Sequence, residues 1–314
     1  MPAQVRPVLK FVRTSGLCVL KQLRLEETLF RASHENWVIA NDGTNETAIV
    51  MGISGKPHHL LDVAKVHEDM ILTIKRFTGG GTVVVDGDTQ FVSLIMNASV
   101  IPHVQMFPVP LMHWTSAVYK GIEHEESTSN KPPDDASSSD SRKSSGVFHD
   151  VPSWRVHQND YVVGDGATDV KKVGGNAQSI SKNRFVHHTS FLWRFSKHNM
   201  RYLKNPKKQP LYRENREHDS FLSPLCEHLP SRTSLFDRLP EALICAIGND
   251  VKIEHCHLSD AFLAAGMDES GRVISSPNEN KQPQSTSHRS THVVDLKKTL
   301  TLGFDSRAPV LKGA

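Results

Sequence analysis

An α+β fold is predicted for about residues 5 to 257 of this 314-residue chain, and three observations predict it. Strand-like runs follow one another in groups, with helix-period stretches set between them. The composition, 38% apolar and 23% charged, is that of a globular chain able to bury a sizeable core. Glycines interrupt two of the strand-like runs, at Gly79, Gly80 and Gly81 and again at Gly174 and Gly175, where they pack nothing and cost backbone entropy.

The elements follow in chain order. The stretch MPAQVRPVLKFVRTSGLCVLKQLRLEE carries Arg6, Lys10, Arg13, Lys21 and Arg24 before its first acid, Glu26. Two readings stay open for it: the composition of an organelle transit peptide, or a strand over Val8 to Arg13 running into a helix with Leu20, Leu23, Glu27 and Phe30 on one face. NWVIAND and TAIVMGIS read as strands and LLDVAKVHEDM as a helix or loop. MILTIKRF and TVVVDGDTQFVSLIMN read as strands around the glycine triplet, and VPLMHWTSAVYKGIEH as a helix. NDYVVGD, KKVGGNAQSIS and RFVHHTSFLWRF supply further strands. KHNMRYL, HDSFLSPLCEHL and SLFDRLPEALICAIG fit helices, and DVKIEHC a last strand. Two segments have almost nothing apolar to bury. Residues 123–146 are read as a disordered insertion, and residues 275–291 as part of a low-complexity linker and tail covering 258–314, after a domain of residues 1–257.

Composition also excludes. No run of 18 apolar residues is present, so no membrane span is expected, and a net charge of +3 from 37 basic and 34 acidic residues does not argue for nucleic acid. Cys18, Cys226, Cys245 and Cys256 form no C-x-x-C pair, so neither a disulfide framework nor a metal centre is expected, and a reducing compartment is the simplest reading. In the EHCH stretch, strand alternation sends His255 and His257 to the face opposite Cys256.

The chemistry concentrates in IKRFTGGGTVVVDG and KKVGGNAQSISKNRFVHHTSF. In each, a cation sits against backbone that carries no side chains, so a ligand can approach the main chain closely. Lys172 reads either as a poorly solvated cation facing an anion or as a solvated lysine at a hairpin turn. The pair His187 and His188 reads equally as strand histidines bonded to backbone or as ligand contacts.

Taken in order and about ninety residues apart, KRFTGGG and KVGGNAQ resemble two signatures of the lipoate-protein ligase and octanoyltransferase family. The acid pair of RLEETLFRA, the glycine of IVMGIS, Asn159 with Asp160, and HHTS at 187 to 190 fall in the family's order, so that the likeness covers about residues 15 to 205. The resemblance implies mixed, mainly antiparallel sheets flanked by helices, the biotin/lipoyl-ligase-like catalytic fold. It implies ATP-dependent attachment of lipoate to a lysine of a lipoyl domain through a lipoyl-adenylate, with ATP and Mg²⁺ as the substrate complex. Lipoyl domains of 2-oxoacid dehydrogenases or the glycine cleavage H protein are the implied acceptors, with a separate accessory protein in some systems. A mitochondrial or a cytoplasmic location fits equally.

By the same resemblance Lys172 would hold the acyl carbonyl and the phosphate bridge, and Arg76 would contact phosphate. Thr78, Gly79, Gly80, Gly81, Gly175, Ala177 and His188 would border the acyl group, and Asn159, Asp160 and Asp86 the nucleotide. The chain departs from the pattern in places. Val85 and Thr89 stand where ligases carry His and Asn, and Lys56 lies near a usual glutamine. Sister enzymes take octanoate from acyl carrier protein through a cysteine thioester, so an octanoyl or lipoyl transferase is the alternative, as is a non-catalytic relative that binds a carrier domain. A basic stretch with Arg201, Lys204, Lys207, Lys208, Arg213 and Arg216 is read as either a solvated loop or a steering surface for an acidic acceptor.

Overall fold

The computed structural model describes residues 6–121, 146–166, 169–205, 209–248, 250–274 and 290–296. The expected insertion at 123–146 lies outside them except for Gly146. Strand β1 (Val8–Ser15) runs into helix α1 (Val19–Ala32), so the basic N-terminal composition belongs in part to a folded strand. Its cations are used locally: Lys10 pairs with Glu35, and Arg13 with Asp237 at 2.6 Å. Strands β2 (Asn36–Asp42) and β3 (Ala48–Met51) are almost wholly buried, which their unbroken apolar runs demand. Short helices α2 (Pro57–Leu60) and α3 (Val63–Glu68) lead to β4 (Leu72–Lys75), β5 (Val83–Val85) and β6 (Thr89–Asn97). Helix α4 (Pro108–Lys120) opens on proline and stops at Gly121, whose φ of 99° only glycine adopts readily.

Strands β7 (Arg155–His157), β8 (Asp160–Val163), β9 (Lys171–Ile180) and β10 (Arg184–Leu192) follow. The remaining elements are α5 (Lys197–Met200), α6 (His218–Phe221), α7 (Ser234–Ile247), β11 (Lys252–Cys256), α8 (Leu258–Ala264) and β12 (His292–Val293). HDSFLSPLCEHL does not form one helix: Ser223 donates its amide to Lys172 O, and a 3-10 turn at Leu225–Glu227 follows.

An eight-stranded sheet has the order β11-β1-β2-β6-β10-β9-β8-β7, parallel at β11-β1-β2 and antiparallel elsewhere. A four-stranded sheet has the order β12-β4-β3-β5, with only β3-β4 parallel. The mixed, mainly antiparallel α+β class is therefore the fold. One face of the large sheet packs the main core under α4 and α7, where Trp114, Tyr119, Phe148, Trp154 and Phe191 meet. Its other face packs α1 and α8.

The stretch read as linker and tail from residue 258 differs at two places. Ala261, Phe262, Ala265 and Met267 join the core cluster of α1, because α8 carries a buried apolar face that the composition of the later residues concealed. Strand β12 adds to the small sheet beside β4.

Candidate functional site

The glycine-rich stretch after β4 is folded around one side chain. Arg76 is 4% exposed, and among the described residues its hydrogen bonds go to carbonyls and one hydroxyl. Its Nε donates to Thr78 Oγ1 at 3.0 Å and Gly79 O at 3.2 Å. Nη2 donates to Gly79 O and Gly81 O at 2.8 and 2.9 Å, and Nη1 to Val50 O at 3.5 Å. Burial pulls its pKa down to about 10, opposed by the charge of Glu26, so it stays a cation at neutral pH. Gly80 closes the turn at φ 103°, and a Cβ there would sit 2.6 Å from Arg76 Nη2. A Cβ at Gly79 or Gly81 would meet nothing within 4 Å, so those two leave open space.

Strand β9 brings Lys172 to this loop by an irregularity. Lys172 and Gly175 are three apart, an odd spacing that puts them on opposite faces of a regular strand. Here β9 fits two residues against one step of β8, pairing Tyr161 with Gly174 and Val162 with Lys172, so Val173 is the extra residue of a bulge. The bulge sends Val173 into the core and sets Lys172 on the face of Gly175 and Ala177. A Cβ at Gly175 would lie 3.2 Å from Lys172 Nζ. Lys172 Nζ meets Asp160 Oδ1 at 2.7 Å, and Asp160 Oδ2 accepts from Tyr212 at 2.9 Å.

On β10 the histidine pair splits, as alternation requires. His187 enters the core, where Tyr161 lies 3.0 Å from its Nε2; burial and the neighbouring His188 push its pKa down to about 3. His188 lies opposite Ala177 and Ser93 and borders the cavity. Its Nδ1 meets Glu26 Oε2 at 3.0 Å and Ser93 Oγ at 2.9 Å. Burial alone would raise the Glu26 pKa, but the charge of His188 and bonds from His188, Ser93 and Gln22 hold it below the ordinary carboxylate value.

These parts surround a cleft of about 590 Å³ lined by Lys56, Lys172, Lys204 and Arg213 against, among the described residues, the single carboxylate of Asp160, a field suited to an anion. Two smaller chambers join it at Lys172. One, about 90 Å³, lies among Val19, Val50, Phe91, Ala177 and His188. The other, about 100 Å³, lies among Val83, Val85, Leu192, Met200, Phe221 and Leu222. A larger hollow of about 850 Å³ around Lys10 and Glu35 sits toward the β11 end of the sheet and has no such convergence.

Of the residues predicted from sequence, Lys172, Arg76, Gly80, Gly81, Gly175, Ala177, His188 and Asp160 come together here. Four do not border these spaces. Thr78 is buried behind the loop, and Gly79 turns its carbonyl to Arg76. Asn159 shapes the β7-β8 turn at φ 68°, its carbonyl accepting from Asn176. Asp86 accepts from Asp88 N at 3.0 Å and from Asn199 Nδ2 at 2.9 Å, holding the β5-β6 turn against α5.

Sequence reading missed Thr82, Tyr212 and His218. The Thr82 hydroxyl borders the cleft, buried and without a hydrogen-bond partner among the described residues. His218, beside the cleft, is pushed down to about 4 by burial and the charges of Arg213 and Lys172, so it is neutral at pH 7. Both Tyr212 and His218 lie in or beside the basic stretch, of which Lys207 and Lys208 fall outside the described residues, Arg201 and Lys204 are exposed, and Arg213 and Arg216 are engaged within the fold. Arg213 is buried with its guanidinium 4.7 Å from the Phe221 ring, Arg216 donates to Val170 O and Tyr212 O, and Arg201 pairs with Asp69.

Among the described residues no cysteine borders the cleft or its chambers. Cys256 on β11 is five strand spacings from β9, about 24 Å. Cys226 is half-buried, and Cys245 is exposed on α7.

The lipoyl protein ligase A/B catalytic domain family matches residues 19–248. The inactive lipoate–protein ligase 2 of Plasmodium falciparum (isolate 3D7) is 33% identical over 254 residues, covering 70% of this chain and 65% of that protein. The chain thus spans just under two thirds of the length of that curated relative. A bi-partite lipoate protein ligase of Thermoplasma acidophilum superposes with a TM-score of 0.59 at 12% identity, over 83% of this chain and 91% of the other. Lipoate-protein ligase A bound with ATP superposes with a TM-score of 0.57 at 14% identity, over 83% and 92%. At such identities these two structures speak to the fold.

Proposed function

The chain belongs to the lipoyl protein ligase A/B catalytic domain family, and on that premise we propose that it joins lipoate, or a closely related acyl group, to a lysine of a lipoyl domain through an acyl-adenylate made from ATP. The observation that carries this reading is Lys172, an ammonium set where the chamber walled in part by Val19, Val50, Phe91 and Ala177 meets a cationic cleft. In the first step a carboxylate oxygen of the acid attacks the α-phosphorus of ATP and pyrophosphate leaves. In the second the acceptor lysine amine attacks the acyl carbonyl carbon, an amide forms and AMP leaves. Negative charge grows on phosphate oxygens and then on the carbonyl oxygen, and a preorganised cation beside both stabilises each step. Lys172 supplies that cation and is not itself acylated. Its bond to Asp160, which Tyr212 also holds, keeps the ammonium in place before substrate arrives. Lys56, Lys204 and Arg213 draw the phosphates in, and Mg²⁺ would arrive with the nucleotide. The chamber of Val19, Val50, Phe91 and Ala177 takes the acyl chain. Resemblance to a ligase structure bound with ATP, and to a lipoylation system with an E2 lipoyl domain, supports the choice of nucleotide and acceptor.

A second reading, an acyl-binding relative that makes no adenylate, is favoured by one observation. Val85 and Thr89, at the family's His and Asn positions, line the second chamber, which is otherwise largely apolar. The curated relative named as inactive points the same way. A cysteine-dependent transferase has less support, because no cysteine borders the cleft among the described residues.

Lipoate-dependent exchange of pyrophosphate into ATP by the purified chain tests the proposal. Exchange that falls at least about a hundredfold in Lys172→Ala, the cost of losing one preorganised charge, is the expected result. Lipoate binding without exchange, together with acylation of a lipoyl domain only from supplied lipoyl-adenylate, would replace the ligase by the second reading. Octanoyl transfer from acyl carrier protein that survives ATP depletion would refute both.

A further inference from the structure

We propose that residues 290–296 are a positioning strap for the glycine loop, with Thr291 the residue that fastens it. Helix α1 and strand β4 bring two walls of the acyl chamber: α1 carries Glu26, which holds His188, and β4 leads into Arg76 and the glycines. Thr291 bridges them. Its amide donates to Glu27 Oε2 at 2.8 Å, and its hydroxyl accepts from the Phe77 amide at 3.3 Å. Thr291 is 7% exposed, so both bonds are made out of water, where a lost partner is costly. The strap then runs antiparallel to β4, His292 opposite Lys75 and Val293 opposite Ile74, and Val294 donates to Thr73 O at 2.8 Å. Leu296 anchors its far end among Ile49, Met51 and Val84.

The α1 side of the junction is built to receive it. Phe30 stacks on Phe77 with ring centroids 6.1 Å apart, and Arg31 lies over the same ring while holding Glu27 at 3.0 Å. Phe77 directly follows Arg76, so whatever fixes its backbone also fixes where the guanidinium can reach. Without the strap, β4 becomes an exposed edge with unpaired backbone groups, and the loop it carries is free to shift. The strap therefore acts on ligand binding through the loop rather than by touching ligand. That last step rests on the reading that the loop borders the acyl site; the strap's effect on the loop does not.

The test uses the full chain with Thr291→Ala, Thr291→Ser and Val294→Pro, the last removing the amide that bonds Thr73. Hydrogen exchange is followed at the amides of Ile53 and Arg76, which bond to Thr78 O and Met51 O, and at Phe77. Lipoate affinity is measured by calorimetry. Thr291→Ala and Val294→Pro should speed exchange at these amides about tenfold, the worth of one buried hydrogen bond, while leaving slowly exchanging amides of β2 and β6 unchanged. Thr291→Ser should restore protection at all three amides. Lipoate affinity should fall and recover with protection. Unchanged exchange at Ile53, Arg76 and Phe77 in both disrupting variants overturns the strap, whatever happens to binding. If the unaltered chain binds no lipoate while exchange responds as described, the strap stands and the functional reading fails.

Discussion

Replacing Glu26 by glutamine probes the buried junction that orients His188 beside the chamber proposed for the acyl chain. Glu26 is fully buried, and its carboxylate accepts from Ser93 at 2.6 Å and Gln22 at 2.8 Å while meeting His188 Nδ1 at 3.0 Å. All the partners that contact it there can act as donors, so an amide of the same shape must turn its own NH₂ against at least one of them. Leaving a buried hydrogen-bond partner unsatisfied costs about 1–3 kcal/mol, and more at a charged group such as this carboxylate. The amide keeps one accepting oxygen, so about 2–4 kcal/mol is expected for Glu26→Gln. His188→Gln should cost a similar amount, and the double variant should cost about 2 kcal/mol less than the sum of the two. Urea unfolding at pH 7 of the four chains gives this cycle directly. The acid limb adds a second reading. Because the folded pKa of Glu26 lies below its unfolded value, its stabilisation is fully present above about pH 4.5 and is lost as pH falls through the folded value, so the unaltered chain should lose stability in acid more steeply than Glu26→Gln. Costs that add to within about 0.5 kcal/mol would refute the coupling and with it the positioning of His188 by Glu26.

Arg76→Lys keeps the charge but cannot reach Val50 O, Thr78 Oγ1, Gly79 O and Gly81 O together, so a loss of about 2–4 kcal/mol and weaker acyl affinity are expected from unfolding and calorimetry; unchanged affinity would show that the loop holds itself. Gly80→Ala should destabilise by about 1–3 kcal/mol because of its φ of 103° and the guanidinium behind it, whereas Gly79→Ala should leave the unfolding midpoint nearly unchanged. His187 has its folded pKa depressed to about 3, so between that value and about pH 6.5 the unfolded chain binds a proton the folded chain refuses, and stability falls with decreasing pH. Urea midpoints at pH 7 and pH 5 should diverge less in His187→Leu than in the unaltered chain, by about 2 kcal/mol, and parallel behaviour would refute the assignment. Charge reversal at Lys207 and Lys208 should slow capture of an acidic lipoyl domain at low salt, read as a lower association rate that added salt levels out.

The sequence by itself determined the α+β class, most strands of the large sheet and the pair of glycine motifs with Lys172, because these depend on short-range patterns. Alternation along RFVHHTSFL separates His187 from His188, and the unbroken apolar run of NWVIAND requires a strand buried on both faces. Only the tertiary structure decided what the cations do. Arg76 has its donors satisfied by loop carbonyls and a hydroxyl, and Arg213 and Arg216 are held against rings and carbonyls of neighbouring segments. A charge read from sequence carries no information about which acceptors the fold will bring to it. The bulge at Val173 is likewise unreadable from strict alternation, which puts Lys172 on the wrong face; it exists because β8 and β9 pair out of step by one residue. Thr291 lies 214 residues beyond Phe77, in a stretch whose composition reads as tail, and its place beside β4 follows from backbone pairing and one hydroxyl rather than from any apolar pattern. Local period writes the strands, while contacts between distant segments choose the partners of each buried polar group, and the site is made of those groups.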